Sequence, residues 1–371
     1  EIKKLEVEYN SLSRQKENDE RLYTLVLERQ KEADLTGHLK TNNITVLEYA
    51  QTPTAPIKPN IRLNLGASLL FGLLFGVGIA VILEFIDNTV KTQEDIEHRI
   101  KLPFLGIIPS IAEHEKFENG TRIVPKREAK DLYIYHNNKS SVAECCRTIR
   151  TNLMFMSPDK PLRRFLVTSA GPKEGKSLTA VSLGITMAQA GSRTLLVDTD
   201  MRRPRLHRAF AMNNEKGVTS TLLGEAKLED VIRKTPVPNL DVLTCGPIPP
   251  NPSELLHTKK FVAMVERLSE MYDRVLYDSP PVGAVTDALI ISNLVDGVVL
   301  ISKSGQTTIP MLKQSKKMLV DVKATILGVV LNDLDLDNKG YGYYYYYYYY
   351  SRKYGYYYGE SEKEAKTSTT A

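Results

Sequence analysis

The residues with the clearest capacity for chemistry are Ala170-Gly171-Pro172-Lys173-Glu174-Gly175-Lys176-Ser177, which follow an apolar run and open a helical pattern over 177–190. A strand, a glycine-containing loop and a helix start in that order make a P-loop. Backbone N–H groups of the loop and of the helix N-terminus converge there on phosphate oxygens. Gly175 permits the tight backbone, Lys176 reaches the β- and γ-phosphates, and the Ser177 hydroxyl is a ligand for Mg²⁺. Gly171, Pro172, Lys173, Glu174 and Leu178 complete the nucleotide-binding stretch. Two more apolar runs end in carboxylates. In Val197-Asp198-Thr199-Asp200-Met201-Arg202, aspartates two apart project to the same side if the chain is still extended. One could order the water shell of a metal while the other accepts a proton from an attacking group. Val275-Leu276-Tyr277-Asp278-Ser279-Pro280-Pro281 ends a third strand on Asp278, the place of a Walker B carboxylate that meets Mg²⁺ directly or through water. Singly, these signals also read as a chance glycine-rich loop, a helix N-cap and an ordinary strand end. In correct order they point to ATP and Mg²⁺, at the strand C-termini where α/β folds build their sites.

The elements that must position these residues follow from periodicity. Strand candidates Phe165–Thr168, Thr194–Val197, Leu240–Leu243, Arg274–Tyr277, Val298–Ile301 and Ile326–Leu331 alternate with amphipathic helical stretches. That alternation predicts an α/β domain, a parallel sheet with helices on both faces. Upstream, residues 1 to about 40 are rich in Glu, Lys, Arg, Gln and Leu without proline, which suits a long amphipathic helix or an antiparallel helical hairpin. Pro53, Pro56 and Pro59 make a stiff approach to the stretch Leu63–Leu83, which carries no charge. Its 21 residues as a helix reach roughly 30 Å, the thickness of a bilayer core. A buried core helix or a signal peptide fits less well, because the stretch is long, apolar on all sides and internal. Ser68, Gly72, Gly76 and Ala80 give it a stripe of small residues suited to close approach of another helix. Lys58 and Arg62 before it balance Lys91 and Arg99 after it, so the positive-inside rule does not orient it.

The expected organisation is a helical segment 1–52, a proline-rich approach 53–62, a transmembrane helix 63–85, a juxtamembrane segment 86–130, a P-loop domain 131–338 and a tail 339–371. The chain has 371 residues, 42% hydrophobic and 25% charged, which excludes a wholly disordered or fibrous chain. A net charge of +5 is too mild to argue for nucleic acid. Cys145, Cys146 and Cys245 cannot make an extracellular disulfide framework and suggest a reducing compartment. Opening at Glu1 inside a helical pattern, the chain is expected to be the C-terminal part of a longer protein.

The P-loop, the Asp-x-Asp-x-Arg strand end and the Asp-Ser-Pro-Pro strand end together resemble the bacterial tyrosine kinases (BY-kinases), of the form fused to a polysaccharide co-polymerase. Gly246-Pro247-Ile248-Pro249-Pro250-Asn251-Pro252-Ser253-Glu254-Leu255-Leu256 is similar to that family's proline-rich loop, and Glu144-Cys145-Cys146-Arg147-Thr148-Ile149-Arg150 to its E-x-x-R-x-x-R motif. The resemblance implies a MinD-like P-loop fold, preceded by one transmembrane helix and an N-terminal helical segment. It implies protein-tyrosine kinase activity with ATP and Mg²⁺. Lys176 and Ser177 would hold phosphates and metal, Asp198 and Asp278 would support the metal, and Asp200 would be the base for the tyrosine hydroxyl. Arg202 would position the loop after Asp200, and Asn332 would read adenine. Glu144, Arg147 and Arg150 would dock one protomer on the next in a ring. The signature lysine of MinD-like ATPases, five residues before the P-loop lysine, is replaced by Gly171, which weakens a partition-ATPase reading.

Thirteen of the 20 tyrosines lie between Tyr341 and Tyr358. Tyr341, Tyr343, Tyr344, Tyr345, Tyr346, Tyr347, Tyr348, Tyr349, Tyr350, Tyr354, Tyr356, Tyr357 and Tyr358 resemble the family's autophosphorylation cluster. Each phosphate would add roughly −1.5 to −2 charge, so a few would reverse the sign of the tail. Unmodified tails would then link a ring and phosphorylated ones open it. The expected setting is the inner membrane of a bacterium, with residues 1–62 outside the cytoplasm and 86–371 inside. Expected partners are further copies of the chain, a polysaccharide polymerase and outer-membrane exporter, and a protein-tyrosine phosphatase, with no nucleic acid. The alternatives are an ATPase switch that leaves tyrosine untouched and a non-catalytic chain-length scaffold.

Overall fold

The computed structural model describes residues 1–38, 47–49, 52, 58–111, 117–118, 121–122, 131–157 and 161–335. The chain divides into two compact units, Glu1–Ala80 and Val81–Ala371. In the first, Ile2–His38 is one continuous helix with no buried residue. The long-helix expectation holds over this range. The helix Ile61–Ile86, which runs on into the second unit, also has no buried residue, although it is apolar around its whole circumference. It is long and apolar enough to cross a membrane. A soluble core helix would have buried such a surface.

Among the described residues the second unit contains ten strands: β1 (Phe104–Pro109), β2 (Phe117–Glu118), β3 (Thr121–Arg122), β4 (Arg164–Ser169), β5 (Thr194–Asp198), β6 (Ile232–Lys234), β7 (Leu240–Leu243), β8 (Arg274–Asp278), β9 (Gly297–Lys303) and β10 (Ile326–Leu334). Eight form one sheet in the order β1-β10-β9-β4-β8-β5-β7-β6, and β2 and β3 form a separate pair. Every neighbour in the large sheet is parallel except β6 with β7. Side chains alternate across it. Leu195, Val197, Val298 and Leu300 face a layer containing helices Lys259–Met271, Asp287–Ser292 and Ile309–Asp321. Leu196, Val299 and Ile301 face helices Ser141–Phe155 and Lys176–Gln189. Near-continuous apolar runs are what a sheet covered on both faces requires.

All six expected strands are present. β1 is an addition, because it lies within the segment expected to be juxtamembrane. Pro103, Gly106 and Pro109 dilute its strand pattern, and an edge position tolerates them. The connection from the apolar helix is itself attached to this unit. Val90 N–H donates to the Thr307 carbonyl and Ile309 N–H to that of Asn88, both at 2.8 Å. Val90, Ile96 and Ile100 are buried. Closure of β1 on β10 needs Gly328, whose φ is +153° and whose added Cβ would stand 2.6 Å from the Pro103 carbonyl oxygen. Gly328→Ala is therefore expected to cost about 2–3 kcal/mol and to lower the melting temperature by about 5–10 °C. An unchanged melting curve would contradict the close approach of β1.

Candidate active site

β4 ends at Ser169, residues 170–175 reverse direction, and the helix begins at Lys176. Lys173 and Gly175 take left-handed conformations, at φ +65° and +90°, which turn successive N–H groups inward. Glu174 is almost fully buried and braces the loop from within. One carboxylate oxygen accepts the Gly171 N–H at 3.0 Å and the other accepts the Thr307 hydroxyl. Burial raises its pKa against the pull of those donors. Asn332 Nδ2 donates to the Glu174 carbonyl at 2.9 Å. A Cβ at Gly175 would lie 2.0 Å from that nitrogen, so only glycine fits. Asn332, singled out as an adenine reader, thus has its amide nitrogen engaged with the P-loop.

Asp198, Asp200 and Asp278 lie around Lys176, with one difference from the expected extended geometry. The chain does not stay extended beyond Asp198. Asp198 Oδ1 accepts the Asp200 N–H at 3.2 Å, and Oδ2 accepts those of Arg205 and Leu206 at 2.9 Å. This is an Asx turn, a local bond that outcompetes extension. It turns Asp200 towards the P-loop, where Oδ2 lies 2.8 Å from Lys176 Nζ. The other Asp200 oxygen accepts the N–H groups of Arg202 at 3.3 Å and Arg203 at 2.9 Å. Asp278 is fully buried, with Lys176 Nζ 3.9 Å from Oδ1 and no hydrogen-bond partner for either oxygen.

Three carboxylates against one ammonium leave a negative excess in a water-poor place. Burial raises the pKa of Asp198, and repulsion from Asp278 and Asp200 adds to it. Burial likewise raises Asp278, with Lys176 pulling the other way. Burial alone would lower Lys176, but Asp278 and Asp200 outweigh it and hold the ammonium charged. A buried carboxylate with no direct hydrogen bond, beside the Ser177 hydroxyl, fits a hard divalent cation. Among the described residues no cluster of His, Cys, Asp and Glu makes a closed metal cage. Mg²⁺ does not need one, since it keeps waters and takes phosphate oxygens as ligands.

Residues 4–85 match the family model described as a G-rich domain on putative tyrosine kinase, and residues 172–325 match an AAA domain. Over 194 residues the chain is 43% identical to the tyrosine-protein kinase YwqD of Bacillus subtilis (strain 168), an overlap covering 52% of this chain and 82% of that protein. The chain belongs to the bacterial tyrosine-protein kinases. It is 30% identical over 334 residues to the tyrosine-protein kinase ptk of Acinetobacter johnsonii, covering 90% of this chain but 45% of that protein. The chain therefore spans less than half the length of this relative. The kinase domain of the Escherichia coli tyrosine kinase ETK superposes with a TM-score of 0.60 at 29% identity, over 66% of this chain and 95% of that one.

In this kinase the E-x-x-R-x-x-R residues lie on helix Ser141–Phe155 but are engaged within the chain. Arg147 pairs with Glu144 and with the Asn138 carbonyl, and Arg150 Nη1 donates to the Thr186 carbonyl at 2.8 Å. Arg202 forms a fork with Asp287, with Nε 2.8 Å from Oδ2. The three cysteines are buried, so they act as packing residues. The tail tyrosines lie outside the described residues. Thr307, which holds Glu174, was not singled out from the sequence, because Thr307-Thr308-Ile309-Pro310 signals only a helix start.

The buried excess of charge gives a test. A carboxylate whose pKa rises on folding costs stability as pH climbs from its unfolded value towards its folded one, so the nucleotide-free kinase bears that cost near neutrality. Asp278→Asn is expected to raise the melting temperature of the nucleotide-free chain by a few degrees and to lower phosphoryl transfer by at least about 100-fold. A fall in melting temperature would refute the repulsion.

Proposed function

We propose that this chain is a membrane-anchored protein-tyrosine kinase that uses ATP with Mg²⁺ to phosphorylate its own tail, Tyr341 to Tyr358, and so regulates polymerisation or export of a surface polysaccharide. The observation that carries the reading is Asp200 held 2.8 Å from the P-loop Lys176, beside a buried Asp278 carboxylate whose oxygens make no direct hydrogen bond and lie no closer than 3.9 Å to that ammonium. Phosphoryl transfer asks mainly for positioning and for stabilisation of charge on the transferred group. Loop N–H groups and Lys176 bind the phosphates, while Ser177 and Asp278, with Asp198 behind them, hold the metal. A Mg²⁺ ion held by these residues would supply positive charge against that of the phosphates. Once phosphate takes the Lys176 ammonium, the Asp200 oxygen that now faces it is released to accept the tyrosine proton. A carboxylate is a weak base for a group of pKa near 10, but it assists as the bond to phosphorus forms. Asn332 would meet adenine through the side-chain oxygen left over from its bond to Glu174.

The apolar helix Ile61–Ile86 supports a bilayer anchor with residues 1–62 outside the cytoplasm and 86–371 inside, where ATP and reduced thiols occur. Protomers would join in a ring through Glu144, Arg147 and Arg150, with a neighbour competing for their present partners. A polymerase, an exporter and a phosphatase are the proposed further partners.

The test is to incubate the chain with ATP and Mg²⁺, with Lys176→Met beside it, mapping phosphate by peptide mass spectrometry and following particle mass by light scattering. Several phosphates on Tyr341–Tyr358, absent from the variant and accompanied by a falling particle mass, are expected. Release of free phosphate with a bare tail would overturn the kinase reading, and a constant mass would overturn the ring switch.

A further inference from the structure

One well-satisfied buried carboxylate near the site belongs to none of the three motifs. Asp287 is fully buried at the start of helix Asp287–Ser292, beyond the Pro280-Pro281 turn that leaves β8. Its Oδ2 accepts Arg202 Nε at 2.8 Å, and its Oδ1 accepts Arg202 Nη2 at 3.2 Å and the Ser253 hydroxyl at 2.6 Å. Arg202 Nη2 also donates to the Ser253 oxygen at 3.0 Å, which closes a triangle. Each corner comes from a different segment: the loop after β5, the proline-rich loop, and the segment after β8. Donors and acceptors match throughout, with a two-pronged guanidinium–carboxylate pair at the centre, a geometry that fixes orientation as well as distance.

We propose that Asp287 is a positioning residue for phosphoryl transfer, which through Arg202 and Ser253 sets the backbone that aims the Asp200 carboxylate. The proposal rests on the reading of Asp200 as the base. Asp200 Oδ1 is held by the N–H groups of Arg202 and Arg203, so its direction depends on the backbone at those two residues. That backbone is anchored by the Arg202 side chain, and the anchor is Asp287. The far end of the loop has a separate tether, since Asp198 holds the N–H groups of Arg205 and Leu206. Loss of the triangle therefore leaves the loop attached and the P-loop untouched, while releasing the element that turns Asp200 towards the acceptor. The proline-rich loop gains a role by the same geometry, because Ser253 links its placement to that of the base.

The experiment compares wild type, Asp287→Asn, Asp287→Glu, Ser253→Ala, Arg202→Lys and Asp200→Asn in the full chain. Three quantities are read: tail phosphorylation at saturating ATP per folded molecule, the Kd of Mg²⁺–ADP, and the melting temperature. Asp287→Asn is expected to lower kcat about 10- to 100-fold, as misplacement of a reacting group does, with the Kd for Mg²⁺–ADP within about two-fold of wild type. Ser253→Ala and Arg202→Lys should show the same split more mildly, and Asp287→Glu should recover part of the rate. Combining Asp287→Asn with Asp200→Asn should add little to the loss from Asp200→Asn alone, since both act on one group. A merely structural role predicts a lower melting temperature with kcat per folded molecule unchanged, and that result overturns the proposal. Equal losses in kcat and nucleotide affinity, or full additivity in the double variant, overturn it as well. If Asp287→Asn does not fold, Ser253→Ala and Arg202→Lys decide by the same criteria. Full activity in Asp200→Asn would instead overturn the assignment of the base, whereas loss in Asp200→Asn beside wild-type kcat in Asp287→Asn overturns the positioning role alone.

Discussion

One buried ammonium facing a surplus of carboxylates is the interaction on which the rest of this structure depends. Lys176 touches Asp200, lies near Asp278 and feels Asp198, and all three acids are nearly or wholly removed from water. Left to itself, such a cluster is a poor use of a protein interior, because desolvating like charges costs more than the single lysine returns. It becomes reasonable as half of a complex. In the proposed complex, phosphate would answer the lysine and the loop, and positive charge the acids. A magnesium nucleotide has both.

The fold assembles that cluster by a simple constraint. A parallel sheet sends all its C-terminal ends to one edge, and β4, β8 and β5 are adjacent, so the P-loop, Asp278 and Asp198 meet without any long excursion of the chain. Helices on both faces keep that edge rigid. The turn between β9 and helix Ile309–Asp321 adds a brace, with Thr307 holding Glu174 by its hydroxyl and the Val90 N–H by its carbonyl. The segment that follows the apolar helix is thereby joined to the loop that binds phosphate.

Much of this was legible in the sequence because it is local. The P-loop and the two aspartate-terminated runs are contiguous patterns, and fully buried strands announce themselves as unbroken apolar runs. β1 was not legible, since Pro103, Gly106 and Pro109 weaken a strand that edge pairing with β10 rescues. The Asx turn at Asp198 competes with extension through a side-chain bond that periodicity does not register. Thr307 and Asp287 were missed, and Ser253 was marked only as part of the proline-rich loop, for a different reason. Their significance lies in hydrogen bonds between segments far apart in the chain, and no local signal separates such residues from turn formers and helix starts. The tyrosine cluster was conspicuous by composition alone, with thirteen tyrosines between Tyr341 and Tyr358.

The most direct measurement of the central claim is the affinity of ADP for the chain with and without Mg²⁺, by isothermal titration calorimetry at fixed ionic strength. If the acid cluster awaits a cation, ADP alone meets repulsion from Asp278 and Asp200, and Mg²⁺ should tighten its binding by about 100-fold or more, a coupling of roughly 3 kcal/mol. Equal affinity in the two conditions would contradict the account, because the carboxylates would then have no part in holding the nucleotide.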